Sequence, residues 1–402
     1  MVRVLITGLG CVSALGLGVE PFWAGLVAGA SGVQPFCWPP SEATVKVAVG
    51  AQVWGYDPSV WFSPEAIRVL DRFSQLALLA AREAVTDAHL CDSDIRPAGV
   101  VLGTACGPKE TEELSYQRLY REGKGRLHPL TIPRGMASGA ACQVSIDQGI
   151  RGPAFSVTSA CASTAHAVAQ AVLLIRSGCV RVALAGGTDA PFTYGMLKAW
   201  EALRVLSPDA CRPFSCDRNG LVLGEGAGVV VLESEDHARS RGAKVYVELA
   251  GFGLSSDAGH ITDPSPEGAA AAMRAALVDA GLAPAGIDYI NAHGTGTLAN
   301  DRCETQAIRQ VFGADADRLA VSSTKPAHGH ALGASGALEL IATTLAIRDG
   351  VVPPTLNFTG PGEGCDLNYV PNRAQVRPVG AALSNSFAFG GLNGVLALRR
   401  YA

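Results

Sequence analysis

The order of apolar and polar positions divides the chain into short β-branched runs separated by longer stretches of helical period. The runs predict strands at Val2–Ile6, Gly99–Leu102, Ala154–Thr158, Val180–Ala185, Gly228–Leu232, Val245–Leu249, Ile287–Asn291, Leu319–Ser322, Ala381–Ser384 and Gly394–Leu398. The helical stretches predict helices at Ser74–Ala88, Ala162–Ser177, Gly268–Ala280, Asp301–Phe312 and Ala334–Asp349. Gly178 and Gly350 stand where helix C-terminal caps fall. Alternation of this kind predicts an α/β protein whose mixed sheets are covered by helices. The first strand is expected to enter a glycine turn after Ile6, because Gly8 and Gly10 follow. The rhythm repeats with a break near residue 245, which predicts an N-terminal half, 1–245, and a C-terminal half, 246–402.

Composition agrees with a large core. Hydrophobic residues make up 48% of the 402 positions and charged residues 17%, and this length suits two domains or two fused halves. The net charge of −4 and the lack of a long basic run argue against nucleic-acid binding. Arg118, Arg121, Lys124 and Arg126 form a local basic cluster that reads as a solvated face. No apolar run reaches the ~18 residues of a membrane span. Thr7, Gly8, Gly10 and Ser13 interrupt the first apolar stretch too early for a secretory leader, so a cytoplasmic location is expected. Eleven scattered cysteines without a CxxC pair suggest neither a disulfide framework nor a zinc site.

One cysteine stands apart. Phe155 to Thr158 reads as a strand, Ser159-Ala160-Cys161 as a tight small-residue turn, and Ala165 to Ile175 as a helix apolar almost all round. Such a helix is buried. Cys161 would stand at its N-terminus, where the dipole and unpaired N–H groups favour a thiolate and can hold an oxyanion. Two other loops carry imidazoles. Asn291-Ala292-His293-Gly294-Thr295-Gly296-Thr297 follows a predicted strand, and its glycines are expected to let the backbone approach a ligand closely. Ser322 to His330 contains Lys325, His328 and His330 and leads into a helix whose apolar pattern includes Glu339. A lone buried carboxylate needs a partner, and Lys325 is the candidate. His328 and His330 lack a third ligand nearby, so no metal is expected. A thiol with two imidazoles leaves acyl transfer and carbon–carbon bond formation both open.

In order and spacing, the Cys161 turn, the His293-Gly-Thr-Gly-Thr loop, Lys325 with His330, Val222 to Gly228, and Phe389-Gly390-Gly391 with Asn393-Gly394 resemble the β-ketoacyl-(acyl-carrier-protein) synthases. The resemblance covers essentially the whole chain and is closest to the long-chain elongating branch, and within it to nodulation protein E-like members. It implies a duplicated, thiolase-like five-layered α-β-α-β-α fold, a homodimer, acyl- and malonyl-loaded carrier protein as partner, and no metal or organic cofactor. It also implies an acyl group on Cys161 and decarboxylation of malonyl-carrier protein assisted by neutral His293 and His330. Lys325, paired with Glu339, would fix His330. The N–H groups of Cys161 and Phe389 would form the oxyanion hole. Thr295 and Thr297 would bind the pantetheine arm, Cys106, Phe387 and Asn393 would contact substrate, and Arg68 and Arg126 would dock the carrier.

The chain departs from the family at several points. Ala388 and Leu392 replace a glycine and a threonine around Phe389, which is expected to alter acyl selectivity. Cys106 stands where a branched aliphatic residue often closes the acyl pocket, so a pocket open to longer chains is expected. Glu65 and Val69 replace docking lysines, which points to a specialised carrier. A thiolase would need a second cysteine in the Phe389-Gly390-Gly391 loop, and a cysteine hydrolase a His–Asn or His–Asp pair. A silent chain-length factor would lack Cys161. The active half of a ketosynthase/chain-length-factor heterodimer is the alternative reading.

Overall fold

Each of the ten apolar runs falls on a strand of one continuous sheet in the computed structural model, which describes residues 2–35 and 45–402. The strands are β1 (Val4–Ser13), β2 (Gly99–Gly103), β3 (Ala154–Val157), β4 (Val182–Asp189), β5 (Gly226–Ser234), β6 (Val247–Ser256), β7 (Tyr289–Asn291), β8 (Ala320–Ser322), β9 (Ala381–Ala388) and β10 (Leu392–Arg399). The spatial order is β8-β7-β9-β10-β6-β1-β5-β4-β2-β3. Counted from its own first strand, each half runs first, fifth, fourth, second, third. In both, the first two pairings are antiparallel and the last two parallel. The halves join where Val4–Ile6 of β1 pairs with Val247–Leu249 of β6.

The longer helices are α1 (Val19–Ala28), α2 (Arg72–Asp87), α3 (Gly139–Gln148), α4 (Ser163–Arg176), α5 (Tyr194–Leu203), α6 (Pro266–Ala280), α7 (Leu298–Phe312) and α8 (Ser335–Asp349). α2 and α3 cover the outer face of the first set of strands, and α6 and α7 that of the second. α4 and α8 lie between the two sets and touch each other, which gives five layers. Among the described residues no helix is long and apolar enough to cross a membrane, and no two of the ten described cysteines are joined.

The expected turn after Ile6 is instead a continuous strand. Gly8 and Gly10 are needed there because α2 lies directly on β1. A Cβ at Gly8 would stand 2.3 Å from the Ala84 carbonyl oxygen, and one at Gly10 2.0 Å from that of Ala80. The second half repeats the device on β6. A Cβ at Gly251 would meet the Ala280 nitrogen at 2.5 Å, and one at Gly253 the Ala272 oxygen at 2.0 Å. α8 shows why its sequence is apolar on every side: all residues from Ser335 to Ile347 are buried. Leu338, Leu340, Ile341, Leu345 and Ile347 each contribute about 1.5–3 kcal/mol on burial. That surplus carries Glu339 inside the same helix.

Candidate active site

Parallel strands deliver the candidate residues to one end of the sheet. Cys161 follows the C-terminal end of β3, His293 that of β7 and Lys325 that of β8, while Phe389 stands in the β9–β10 hairpin. Ligand sites of α/β sheets gather at such strand ends. Ala160, next to Cys161, lies in the left-handed region at φ 48°, a conformation costly for a residue with a Cβ. It is held by Ser163, whose Oγ donates to the Ala160 carbonyl (2.6 Å) and accepts from the Ser159 N–H (2.9 Å).

The Cys161 Sγ lies 3.1 Å from His330 Nε2. Burial against Ala162 and Ala388 pushes the thiol up to about 12. A backbone N–H and the field of Lys325 favour the thiolate, but desolvation outweighs them both. Burial and the Lys325 charge likewise hold His293 and His330 well below the usual imidazole range, so both rings are neutral near pH 7.

Their partners fix which nitrogen carries the proton. The Leu332 N–H donates to His330 Nδ1 (3.2 Å), and the Ser335 hydroxyl lies 2.9 Å from the same atom. Nδ1 is therefore the acceptor and Nε2–H points at Cys161. For His293, the Lys325 ammonium lies 3.4 Å from Nδ1 and donates to the backbone oxygen at 2.5 Å. An ammonium has no lone pair, so here too Nε2 carries the hydrogen. The rings meet edge to face, with centroids 5.4 Å apart. Lys325 also donates to Glu339, and both side chains are fully buried. The expected pair thus exists, but Lys325 fixes His293, not His330. His330 is held by the turn that follows it.

The glycines of the His293 loop serve close packing against protein. A Cβ at Gly294 would stand 2.6 Å from Ser323 Cβ, and one at Gly296 2.8 Å from the Gly220 oxygen. Glu304 of α7 gathers the loop by accepting from the N–H groups of His293 (2.9 Å) and Gly294 (2.8 Å); burial pushes its carboxyl up to about 7.

Cys161, His293 and His330 open into one cavity with Thr295, Thr297, Phe387, Phe389 and Asn393. The hydroxyls of Thr295 and Thr297 lie 2.9 Å apart. Phe389 stacks on Trp200, with centroids 6.3 Å apart, and the Gly390 N–H donates to the Ile261 oxygen (2.7 Å), so segment 260–264 forms the facing wall. Cys106 lies outside this lining. It packs behind it with Phe192, Met196, Leu197 and Trp200. Arg68 is exposed and paired with Glu65 (3.3 Å), and Arg126 is exposed. His328 is buried away from the site, with Nε2 on Thr324 Oγ1 at 2.9 Å. The Cys161 sulfur and one nitrogen of each active-site ring lie within 4.8 Å of one another. Two inward N–H donors nevertheless suit a developing oxyanion better than a cation.

A duplicated five-layer fold with a thiol and two N–H donors where its halves meet defines a thiolase-like condensing enzyme. The chain belongs to the β-ketoacyl synthase family: residues 1–238 match its N-terminal domain and residues 246–359 its C-terminal domain. It is 50% identical to nodulation protein E of Rhizobium sp. (strain N33), over 99% of both chains. It is 42% identical to 3-oxoacyl-[acyl-carrier-protein] synthase 2 of Coxiella burnetii, over 99% of this chain and 98% of the other. Among solved structures, the ishigamide ketosynthase/chain length factor superposes with a TM-score of 0.95 at 38% identity, each chain covered completely. A type II polyketide ketosynthase in complex with its acyl-carrier protein gives 0.92 at 35%, again with complete coverage.

Glu304, Ser335, Asp189 and segment 260–264 were not singled out from the sequence. Glu304 had a usable signal, a carboxylate on the helix face that carries Ala307 and Ile308. Ser335 and Asp189 had none: Ser335 meets the His330 ring only because the intervening turn folds back, and the Asp189 donors, mostly backbone N–H groups, are remote in the chain.

Proposed function

We propose that this chain is a β-ketoacyl-(acyl-carrier-protein) synthase with Cys161 as its acyl-accepting nucleophile. The observation that carries this reading is the pair of Nε2–H groups, one 3.1 Å from the Cys161 sulfur, held by acceptor-only demands on both Nδ1 atoms. In the first step the Cys161 sulfur attacks the thioester carbonyl of an acyl-carrier protein, and the departing phosphopantetheine sulfur leaves with the thiol proton. The N–H groups of Cys161 and Phe389 stabilise the oxyanion. Malonyl-carrier protein then binds, its arm along Thr295 and Thr297, and loses carbon dioxide. His293 and His330 donate hydrogen bonds to the enolate oxygen, and Lys325, paired with Glu339, keeps His293 in the donating tautomer. The carbanion attacks the Cys161 thioester, which releases 3-oxoacyl-carrier protein and regenerates the sulfur nucleophile.

In this reading residues 1–245 bring the nucleophile and residues 246–402 both histidines. Phe387, Asn393 and the wall backed by Cys106 shape the substrate site. Arg68 and Arg126 meet an acidic carrier protein. The open outer edge of β3 supports a homodimer that continues the sheet, and the protein acts in the cytoplasm. A second reading, the active half of a ketosynthase/chain-length-factor heterodimer, is favoured by the 0.95 TM-score to one chain of the ishigamide ketosynthase/chain length factor.

Intact-protein mass spectrometry after incubation with a panel of acyl-carrier proteins tests the proposal. A mass shift on the wild type that is absent from Cys161→Ala supports the acyl-enzyme, and equal shifts on both proteins exclude it. Loading that requires a co-expressed second chain selects the heterodimer.

A further inference from the structure

Asp189, the last residue of β4, is fully buried and accepts four hydrogen bonds from neutral donors. The Thr104 hydroxyl (2.7 Å) and Cys106 N–H (3.0 Å) bind Oδ1, while the Ala105 N–H (2.8 Å) and Gly333 N–H (2.7 Å) bind Oδ2. Three of these donors belong to the loop after β2, which carries Cys106 into the apolar cluster behind the cavity. The fourth belongs to the turn after His330. A single carboxylate therefore clasps loops from both halves of the chain. They are pressed together so closely that a Cβ at Gly333 would stand 2.5 Å from the Ala105 nitrogen and 2.7 Å from Asp189 Oδ2.

The clasped turn is the one that orients His330. Leu332 is held in the left-handed region at φ 52°, where a branched side chain is strained. In that conformation its N–H reaches His330 Nδ1. The neighbouring Gly333 N–H on Asp189 is the bond that offsets the strain.

We propose that Asp189 is a positioning residue that couples the Ala105–Cys106 wall packed behind the cavity to the orientation and tautomer of His330. An acyl chain that displaces the wall pulls on the same carboxylate that pins the His330 turn. Chain length is then read at the decarboxylation step as well as at acyl loading. This rests on the condensing function proposed above.

Asp189→Asn is the direct perturbation. Whichever way the amide turns, its NH2 faces two of the four donors in place of an oxygen. Malonyl-carrier protein decarboxylation is expected to fall at least tenfold in kcat with KM within about twofold, and nitrogen-15 NMR should show His330 sharing its proton between Nδ1 and Nε2. Cys106→Phe, which displaces the wall, should slow decarboxylation about fivefold in the Asp189 background and cause no further loss in the Asp189→Asn background. Thr104→Val removes one of the four donors without changing shape and should show the same changes in smaller measure, so the test survives if Asp189→Asn does not fold. A His330 tautomer unchanged in both Asp189→Asn and Thr104→Val overturns the proposal. So does simple multiplication of the Cys106→Phe and Asp189→Asn losses. The tautomer is read without substrate, so a wild type that forms no acyl-enzyme would defeat the condensing function and leave this result standing.

Discussion

Lys325 and Glu339 allow stability and function to be separated. Both side chains are fully buried, and the ammonium also reaches the His293 backbone oxygen and Nδ1. Removing one member of a buried pair strands the other charge at a cost of about 3–5 kcal/mol, whereas replacing both with apolar groups of similar volume is close to neutral. Glu339→Leu is therefore expected to lower unfolding free energy by about 3–5 kcal/mol. Lys325→Met strands Glu339 instead. Burial raises that carboxyl's pKa, so without the lysine it takes up a proton, and the Lys325→Met deficit should shrink as pH falls. The double variant should unfold within about 1 kcal/mol of wild type, a coupling of roughly 3 kcal/mol or more. It should nevertheless decarboxylate malonyl-carrier protein about 10²-fold more slowly, as expected when one preorganised oxyanion donor is lost, because nothing then holds His293 Nδ1 as an acceptor. Urea unfolding followed by circular dichroism, with carbon dioxide release measured on the same preparations, checks both quantities. A Glu339→Leu loss below about 1 kcal/mol, or a double variant with wild-type turnover, would refute the reasoning.

Burial pushes the Cys161 thiol up to about 12, so its thiolate fraction should rise tenfold per pH unit through neutrality and beyond. Iodoacetamide labelling of Cys161, followed by peptide mapping, should accelerate without a plateau below pH 10; a plateau near pH 7 would mean that the field of Lys325 and the helix N-terminus wins. Gly10→Ala and Gly253→Ala each drive a methyl to about 2.0 Å from a helix carbonyl oxygen and should each cost at least about 1–3 kcal/mol by overpacking, read as a lower urea midpoint at unchanged m. Ala388→Gly frees the residue next to the Phe389 hairpin and should shift the acyl-chain-length profile of loading; an unchanged profile removes the proposed link between this position and selectivity. Cys106→Ile fills the cluster behind the cavity and should shift loading towards shorter chains by about tenfold at the longest length accepted, an effect of the size of one or two methylenes.

What the sequence determined by itself is the set of elements and the chemistry they carry. Ten apolar runs became ten strands because clusters of four to six mostly apolar residues bounded by turn signals are too short for a buried helix. The helix after Cys161 and the helix around Glu339 could be read as buried because each is apolar on nearly every face. The thiol, the two imidazoles and the Lys325–Glu339 pair were likewise legible, since a charged residue inside an apolar helix requires a partner. The tertiary structure decided what depends on contacts between remote segments. Gly8 and Gly10 read as a turn from neighbours alone; only the backbone of α2, pressed onto β1, makes them strand residues. The thiol's resting state follows from how many apolar atoms close around it, which no local pattern records. The assignment of Lys325 to His293, the Leu332 N–H on His330 Nδ1 and the Asp189 clasp each depend on backbone groups, and every residue offers the same N–H and C=O. Side-chain types therefore announced the chemistry, and the fold alone selected which identical backbone groups aim it.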